Sequence, residues 1–403
     1  MVAAAMPDLQ AAVDDFVIKL KRRQVEGSLA TAKSTVLLLR QVVSHQRIPS
    51  SGPASSLIDA VKSVGSRLIA ANSMELAVGN MVRRVLHIIR EEEATIVAAQ
   101  VGVTPVSDSD DDADVDGVPG LSAVALAAAN RTALRAPSLH NLLESLPTSA
   151  GANVEPVPES DTKSRSSDKN SKSWKLKHGV IDAIGLLLGE IENYHSEISE
   201  QALEHIHQNE VILTLGRSRS LLHFFREAKK KRSFQVFVAE GAPRYQGHKF
   251  AKELAAMELQ TTVITDSAVF ALISRVNMVI VGAHAVMANG GIVAPVGMHM
   301  VALAARRHAV PFVVLTGLHK LCPLYPHNPS VVLNELKSPS QVLDFGEMSD
   351  CLDGTDGSPV HVVNPMFDYV PPELISLFIT DSGGHNPSYV YRLVAEIYSP
   401  EDH

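Results

Sequence analysis

The chain has 403 residues, of which 45% are hydrophobic, so it can bury the cores of two globular domains. A formal net charge of -8 excludes a general nucleic-acid-binding surface, because binding to phosphates needs clustered positive charge. Two cysteines, Cys322 and Cys351, are too few for a disulfide framework, and no segment approaches the roughly 18 apolar residues of a membrane span. We therefore expect a soluble protein of the cytosol, with neither membrane nor nucleic acid among its partners.

The first hundred residues carry a helical period. Between residues 9 and 20 the apolar positions recur every three or four residues, with acidic and basic side chains on the other face. Two further helices are predicted at 30–46, where the helix ends before Pro49, and at 55–71. These amphipathic segments predict helices packed on helices.

A fourth helix has the clearest predicted start. Asn72 and Glu75 have the spacing of an N-cap and the third helical residue, which predicts a capping box. They are followed by an apolar stripe formed by Val78, Met81, Val82, Val85, Ile88 and Ile89. The opposite face of this helix carries the polar residues Arg83, Arg84, His87 and Arg90.

Composition changes at residues 107–116, which contain six aspartates, and a second polar stretch follows at 160–173. Neither stretch can bury enough apolar area to offset its ordering entropy, so a mobile acidic and polar insert is predicted near 104–173. The acidic run is either a solvated tether or an electrostatic docking arm for a basic partner. Between the two stretches, short helices are predicted at 121–136 and 138–146.

Helical periodicity resumes at Trp174 and continues to His207, which completes an all-helical N-terminal domain at residues 1–208. Beyond it, short β-branched runs alternate with helix-length segments, as in a parallel sheet covered on both faces. We therefore predict an α/β fold in which residues 209–403 form a doubly wound, mostly parallel, Rossmann-like sheet domain. The predicted strands lie at 211–215, 234–239, 261–265, 276–282 and 311–316.

Residues that follow the predicted strands are candidates for a ligand pocket, because doubly wound sheets bind ligands beyond the carboxyl ends of their strands. A glycine before a helix frees backbone amides, a serine can donate from a helix start, and basic side chains can meet a phosphate. Alternatively, these are ordinary turn residues, since neither a P-loop nor a Rossmann glycine fingerprint is present. The candidate pocket residues are Gly216, Arg217, Ser218, Arg244, Lys249, His284, Asn289 and Gly290.

No metal site and no cofactor are predicted. His205 and His207 are two residues apart, so on a helix they point in different directions and do not form the i, i+4 pair of zinc helices. Met298, His299 and Met300 precede a helix and are interpreted as packing and capping residues.

Several long stretches resemble one protein family, which joins methylthioribose-phosphate and ribose-bisphosphate isomerases to the alpha, beta and delta regulatory subunits of eukaryotic translation initiation factor two B. The resemblance covers nearly the whole chain except the acidic run and the polar insert, and within the family it is strongest to the beta branch. The stretches are "GNMVRRVLHIIREE" (79–92), "QALEHIHQNEVILTLGRSRS" (201–220), "AEGAPRYQGHKFA" (239–251), "TVITDSAVFALISRVNMVIVG" (262–282) and "FDYVPPELISLFITDSGGHNPSYVYRL" (367–393).

The resemblance also implies that the chemistry of the isomerases is lost. In those enzymes a cysteine after the first strand of the sheet domain and an aspartate after the fourth strand move hydrogen between adjacent sugar carbons, as an acid and base pair can. Here the first position lies within "TLGRS" (214–218) and has no thiol, and the aspartate position is His284. The "NKIGT"-like stretch of the family is "APVGM" (294–298), which keeps Gly297 without the Asn and Lys.

What the resemblance implies is a non-catalytic regulatory subunit of the guanine nucleotide exchange factor for initiation factor two. In this family the beta subunit pairs with delta through the α/β domains, and alpha, beta and delta form a hexameric core. Gamma and epsilon attach to that core, and epsilon performs the exchange. The helical domains face the alpha subunit of initiation factor two, whose phosphorylation is sensed as a difference in affinity between two assembly states.

The same resemblance motivates a hypothesis about the subunit interface, where aromatic and histidine side chains are expected. His284 is interpreted as a satisfied or interface histidine rather than a catalytic base. Two alternatives stay open: an active sugar-phosphate isomerase that uses unfamiliar residues, and a pocket that senses a sugar phosphate or nucleotide without turnover. The candidate interface residues are Tyr245, His248, His284 and His299.

Overall fold

The computed structural model describes residues 7–25, 27–49, 52–100, 164–326, 336–346 and 361–402. The first part of the chain is helical, as predicted, and no helix among the described residues is long and apolar enough to cross a membrane. The predicted acidic run, the short helices at 121–136 and 138–146, and Cys351 lie outside the described residues. The helices are α1 (Pro7–Lys21), α2 (Ser28–His45), α3 (Pro53–Ala71), α4 (Leu76–Gln100), α5 (Ser164–Glu200) and α6 (Ala202–His205).

The start of α3 and its close crossing with α4 follow from small residues. Gly52 adopts a left-handed φ of 67°, and Pro53 occupies the first turn, where its missing N–H is not needed. At the crossing, a Cβ on Gly65 would lie 2.5 Å from Cγ1 of Val82. The helices enclose a main apolar core and a smaller cluster around Val13, Phe16 and Leu20 of α1. Members of the main core include Val36, Leu39, Leu57, Val61, Val85, Ile89, Ile184 and Leu188.

The helical part differs from the sequence-based expectation at two places. Helix α4 begins at Leu76, so Glu75 lies before the helix instead of at its third position, and its N–H donates to the carbonyl of Asn72 (3.3 Å). Helix α5 begins at Ser164, inside the stretch at 160–173 that is predicted to belong to a mobile insert. Once a helix has formed through its buried face, each residue added to its end gains one hydrogen bond. Such a helix can therefore continue into a polar stretch, and polar composition alone does not predict this.

The second part of the chain is built around a seven-stranded sheet with the order β10-β9-β7-β4-β1-β2-β3. All neighbouring strands pair in parallel except β9 and β10, which are antiparallel. The strands of the molecule in chain order are β1 (Val211–Leu215), β2 (Gln235–Ala239), β3 (Gln260–Ile264), β4 (Met278–Gly282), β5 (Ala285–Val286), β6 (Ile292–Pro295), β7 (Phe312–Leu315), β8 (Phe367–Val370), β9 (Leu377–Thr380) and β10 (Gly383–His385).

Helices cover both faces of this sheet, and the predicted doubly wound architecture is confirmed. Strand order reverses between β1 and β4, which creates a switch point of the kind where such sheets bind ligands. The helix-length segment between the third and fourth predicted strands forms only a single α-helical turn, flanked by 3₁₀ turns. The helices around the sheet are α7 (Arg219–Lys229), α8 (Gln246–Ala256), α9 (Val269–Leu272), α10 (Met298–Arg307) and α11 (Val390–Ile397).

A small antiparallel sheet of β5, β6 and β8 is absent from the sequence-based prediction. Its central strand β6 pairs Val293 with Ala285 on one side and with Tyr369 on the other. The strands have two to four residues, and β8 follows β6 only after α10 and β7. A period of two residues cannot be recognised in runs this short, so only the tertiary structure reveals the sheet.

Helix α5 joins the two parts of the molecule. Ile184 packs in the core of the helical part, whereas Tyr194 and Ile198 pack in the same apolar cluster as Ile212 of β1. One continuous helix therefore contributes to both cores. The domain boundary at residue 208 stays a prediction, since the packing does not divide cleanly at one position of the chain.

Candidate functional site

A cavity of about 480 Å³ lies between the helical part and the sheet. It opens beyond the carboxyl ends of β1, β2 and β4, at the switch point of the sheet. Its wall also includes the turn before α2, the turn before α4, Lys320 after β7, and residues 364–367 at the start of β8. Only the folded chain brings these distant segments together.

The structure brings together most of the candidate pocket residues. Lys249, Asn289 and Gly290 are described residues that lie outside the cavity wall. Lys249 is exposed on α8, and the other two belong to the turn between β5 and β6. The candidates that line the cavity are Gly216, Arg217, Ser218, Arg244 and His284.

The turn after β1 has the geometry that its sequence predicts. Gly216 has a φ of 77°, in the left-handed region that favours glycine. Ser218 caps α7, because its Oγ accepts a hydrogen bond from the N–H of Leu221 (3.5 Å). Gly282 at the end of β4 leaves room for this cap, since a Cβ there would lie 2.7 Å from the Ser218 Oγ. The two strand ends therefore pack tightly at the switch point.

Arg217 is already engaged by a carboxylate of the chain. Its Nε and Nη2 donate to Oε1 of Glu253 on α8 at 2.9 Å and 2.7 Å. These hydrogen bonds raise the pKa of Arg217. The carboxylate of Glu253 also neutralises the positive charge that Arg217 would otherwise offer to a bound phosphate. Arg219 and Arg244 also line this end of the cavity.

The loop after β2 and the first turn of α8 each present one ring outward, Tyr245 and His248. Asp266 fixes the loop by accepting the N–H of Gly241 (2.9 Å). Tyr245 is 46% exposed, and its ring stacks on that of His248 with centroids 5.2 Å apart. The Nε2 of His248 lies 3.4 Å from Oε2 of Glu240. Tyr245 and His248 are thus close together on the surface, outside the cavity wall.

His284 is held by contacts from three segments of the chain. Its backbone N–H donates to the carbonyl of Val293 (2.8 Å), and its ring stacks on Phe367 with centroids 4.5 Å apart. The Nε2 atom lies 3.3 Å from the carbonyl oxygen of Met74 and 3.8 Å from Oε1 of Glu75. The imidazole and the carboxylate are therefore beyond normal hydrogen-bond distance.

Lys320 and Glu75 are cavity residues that the sequence-based prediction does not include. Lys320 is buried, and its Nζ donates to the carbonyl of Ala283 (2.9 Å). Burial lowers the pKa of Lys320 to about 8, opposed by the nearby Glu75. The buried Oε1 of Glu75 accepts no hydrogen bond from the described residues. Lys320 follows a predicted strand, which could have identified it, whereas Glu75 has the pattern of a helix cap.

Asn289 and Gly290 have structural contacts in the small sheet. Asn289 donates from Nδ2 to the hydroxyl of Tyr369 (2.6 Å). Gly290 has a φ of 82°, and a Cβ there would lie 2.5 Å from the carbonyl oxygen of Pro387. His299, the fourth interface candidate, lies in the first turn of α10 and donates its N–H to Oδ2 of Asp368 (3.2 Å).

The chemistry available in the cavity is that of a polar binding site. The part of its wall that the structure describes contains no thiol, and Cys322 is buried elsewhere with a pKa raised by that burial. Arginines at one end and Lys320 inside can attract an anion. The histidine and carboxylate at the other end are not arranged as a hydrogen-bonded acid and base pair.

The fold makes this chain an α/β protein, in which a helical unit packs on a doubly wound sheet and a polar cavity lies at the switch point. Residues 24–387 match the initiation factor 2 subunit family, and the chain belongs to this family. It is 42% identical over 390 residues to translation initiation factor eIF2B subunit beta of Dictyostelium discoideum, covering 96% of this chain and 95% of that protein. It is 36% identical over 399 residues to the Schizosaccharomyces pombe beta subunit, covering 97% and 96%. The predicted resemblance to the beta branch is confirmed.

The chain is also similar to an isomerase and to a solved structure. Ribose 1,5-bisphosphate isomerase of Archaeoglobus fulgidus is 30% identical over 225 residues, which are 55% of this chain and 68% of that protein. The tetrameric eIF2B-beta2-delta2 complex of C. thermophilum contains a chain with a TM-score of 0.64 and 24% identity, covering 97% of this chain and 95% of that chain. The second similarity confirms the predicted fold.

Proposed function

We propose that this chain is a beta-type regulatory subunit of the guanine nucleotide exchange factor that recycles translation initiation factor two from its GDP to its GTP form. The observation that carries the proposal is the 42% identity to an eIF2B beta subunit, which spans 96% of this chain and so includes both the helical part and the sheet. The similarity to an isomerase is lower and covers only 55% of the chain. The beta subunit is therefore the better guide to function.

In the proposed assembly the sheet part pairs with a delta subunit in the cytosol, and alpha, gamma and epsilon subunits complete the exchange factor. The helical part contacts the alpha subunit of initiation factor two and senses its phosphorylation. Support for the delta contact comes from the similar C. thermophilum structure, which is a tetramer of beta and delta subunits. The exposed, stacked pair of Tyr245 and His248 is a suitable anchor for such a contact.

The interface is tested with the double substitution Tyr245→Ala and His248→Ala in the chain co-expressed with its delta-type partner. We expect recovery of the complex, measured by native mass spectrometry, to fall by about tenfold or more if these residues are central anchors. Tyr391→Ala on α11 is the matched control, because Tyr391 is 65% exposed. Equal recovery for the double variant and the control would contradict the placement of the interface.

The proposal includes the absence of isomerase activity from this chain. The family resemblance implies that His284 takes the position of the isomerase aspartate, and the described cavity wall has no thiol to pair with it. Incubation of the purified chain with ribose 1,5-bisphosphate in deuterated water is expected to leave the carbon-bound hydrogens unexchanged. Deuterium incorporation that is abolished by His284→Ala would favour the enzyme instead.

A second candidate function is sensing of a sugar phosphate or nucleotide without turnover, and the 480 Å³ cavity with its basic side chains favours it. A ligand that binds only the folded chain raises its thermal midpoint. Ribose 1,5-bisphosphate should therefore stabilise the wild-type chain and fail to stabilise Arg244→Ala. Lys249→Ala is the control, since Lys249 lies outside the cavity wall. Equal shifts of the thermal midpoint by the ligand in both variants would rule out binding at this site.

A further inference from the structure

The polar face of α4 binds another segment of the chain instead of facing solvent. Residues 397–402, which we call the strap, begin at the last residue of α11 and cross this face. Three side chains of α4 contact it through backbone carbonyls and a hydroxyl group. These contacts are Arg83 Nε to Asp402 O (3.0 Å), Arg84 Nη1 to Ile397 O (3.1 Å) and His87 Nδ1 to Ser399 Oγ (3.1 Å).

The strongest contact of the strap is the buried carboxylate of Asp402, whose side chain is 0% exposed. Arg90 donates to it from Nε (3.1 Å) and Nη2 (3.0 Å), and Nζ of Lys62 on α3 lies 3.2 Å from Oδ1. Burial alone would raise the pKa of Asp402, but the hydrogen bonds from Arg90 and Lys62 outweigh it and lower the pKa. Glu401 adds a second ion pair with Arg90. The negative charge of Asp402 is thus paired with Arg90 on α4 and with Lys62 on α3.

The same stripe of α4 also supports the cavity wall. Asn80 lies one turn before Arg83 and Arg84 on this face, and its Nδ2 donates to the carbonyl of His319 (3.4 Å), next to Lys320. Glu75 immediately precedes α4 and lines the cavity. Helix α4 therefore contacts both the strap and His319, the residue next to the buried lysine.

We propose that the strap holds α4 against the sheet and thereby keeps the cavity closed on the side of Glu75 and Lys320. When the strap is released, α4 moves away from residues 318–320, and Lys320 becomes accessible to solvent. The cavity then opens because α4 shifts together with the helices that pack on its apolar face, and the sheet keeps its structure. This conformational device goes beyond the proposed function, and its test needs no partner subunit.

The test uses Asp402→Asn in the full chain and measures acetylation of Lys320 by acetic anhydride with mass spectrometry. We expect acetylation of Lys320 to become about tenfold faster or more, because removing one charge of a buried pair favours local opening. The exposed Lys252 serves as the internal reference. Amide hydrogen exchange of α4 is expected to accelerate in parallel, with unchanged far-ultraviolet circular dichroism.

Arg392→Gln is the matched control, since it removes an exposed ion pair with Glu396 on α11 (3.2 Å) without contacting the strap. Should Asp402→Asn fail to fold, Lys62→Met and Glu401→Gln each remove one ion pair and leave the bidentate Arg90 contact in place. These milder variants must also accelerate acetylation of Lys320. Wild-type rates at Lys320 in a folded strap variant would overturn the proposal.

Discussion

Lys320 shows how a single buried charge depends on its surroundings. Lysine is rarely buried without a compensating group, and here the side chain has a carbonyl acceptor and the carboxylate of Glu75 nearby. Burial nevertheless dominates and lowers the pKa of Lys320 from 10.5 to about 8. The folded protein therefore releases this proton at a lower pH than the unfolded chain does.

We predict that Lys320 makes stability depend on pH between about 8 and 10.5. In this window the unfolded chain binds more protons, so the contribution of this residue to the free energy of unfolding rises with pH, by up to about 3 kcal/mol. Below about pH 8 the lysine is charged in both states and the contribution is constant. Urea titrations from pH 7.5 to 10 should show this rise in the wild type. An identical rise in Lys320→Met would contradict the assignment.

His195 is a second residue with an unusual environment. Its ring lies between Tyr194 and His223, with centroid distances of 3.9 Å and 5.0 Å. Both ring nitrogens are buried, and neither has a hydrogen-bond partner among the described residues. Burial lowers the pKa of His195 to about 4, with smaller contributions from His223, Lys320 and Arg219. The neutral imidazole is the form that fits the folded chain.

We predict that this histidine makes the protein sensitive to acid. Its stabilising contribution is complete above the unfolded-state pKa of 6.5 and is lost as the pH falls towards 4, because the unfolded chain takes up the proton first. His195→Leu should therefore lose less free energy of unfolding between pH 7 and pH 5 than the wild type. Chemical denaturation at the two pH values measures this difference. A variant that is as acid-sensitive as the wild type would assign the effect to other groups.

At the scale of single elements, two glycines in helices differ in the space that surrounds them. Gly247 in the first turn of α8 lies so close to β2 that an added Cβ would overlap the carbonyl oxygen of Ala239. Gly185 in α5 has open space around the corresponding position. We predict that Gly247→Ala destabilises the protein by about 2–4 kcal/mol, as overpacking against backbone does, and that Gly185→Ala stabilises it by about 1 kcal/mol. Equilibrium denaturation measures the change in the free energy of unfolding for each variant. Similar changes in both would show that the distance from the added Cβ to its neighbours does not determine the effect.

The elements of the main sheet could largely be predicted because their signals are local. The buried run at 211–215 coincides with β1, and the runs that predict β2, β3, β4 and β7 differ from the strands by one or two residues at the ends. The strands β5, β6 and β8 could not be predicted, since each depends on a partner that is distant in the chain. Short strands acquire their stability from pairing, and sequence patterns do not report pairing.

At the scale of the whole molecule, α5 couples the two cores. Ile198 on this helix is 0% exposed and packs in the cluster around the sheet, whereas Leu186 on the same helix is 60% exposed. We predict that Ile198→Ala destabilises the protein by about 2–4 kcal/mol. Fluorescence of Trp174 on the helical side and far-ultraviolet circular dichroism should shift together in urea. Separate transitions would show that the two parts unfold independently.

Leu186→Ala provides the matched control for this prediction, because it removes the same kind of aliphatic side chain from an exposed position of the helix. Its effect is expected to stay within about 0.5 kcal/mol of the wild type. A comparable loss in both variants would mean that α5 is sensitive to any substitution rather than to burial on the sheet.

The sequence by itself determined the helical first part, the parallel sheet that follows, and the strand-end segments from which Gly216, Ser218 and His284 reach the cavity. Apolar periods and turn residues act over a few positions, so they can be read along the chain. The tertiary structure alone decided that Glu75 meets Lys320, that Glu253 engages Arg217, and that the polar face of α4 binds the strap. Contacts between charges far apart in the chain depend on how whole elements pack, and no local pattern contains that information.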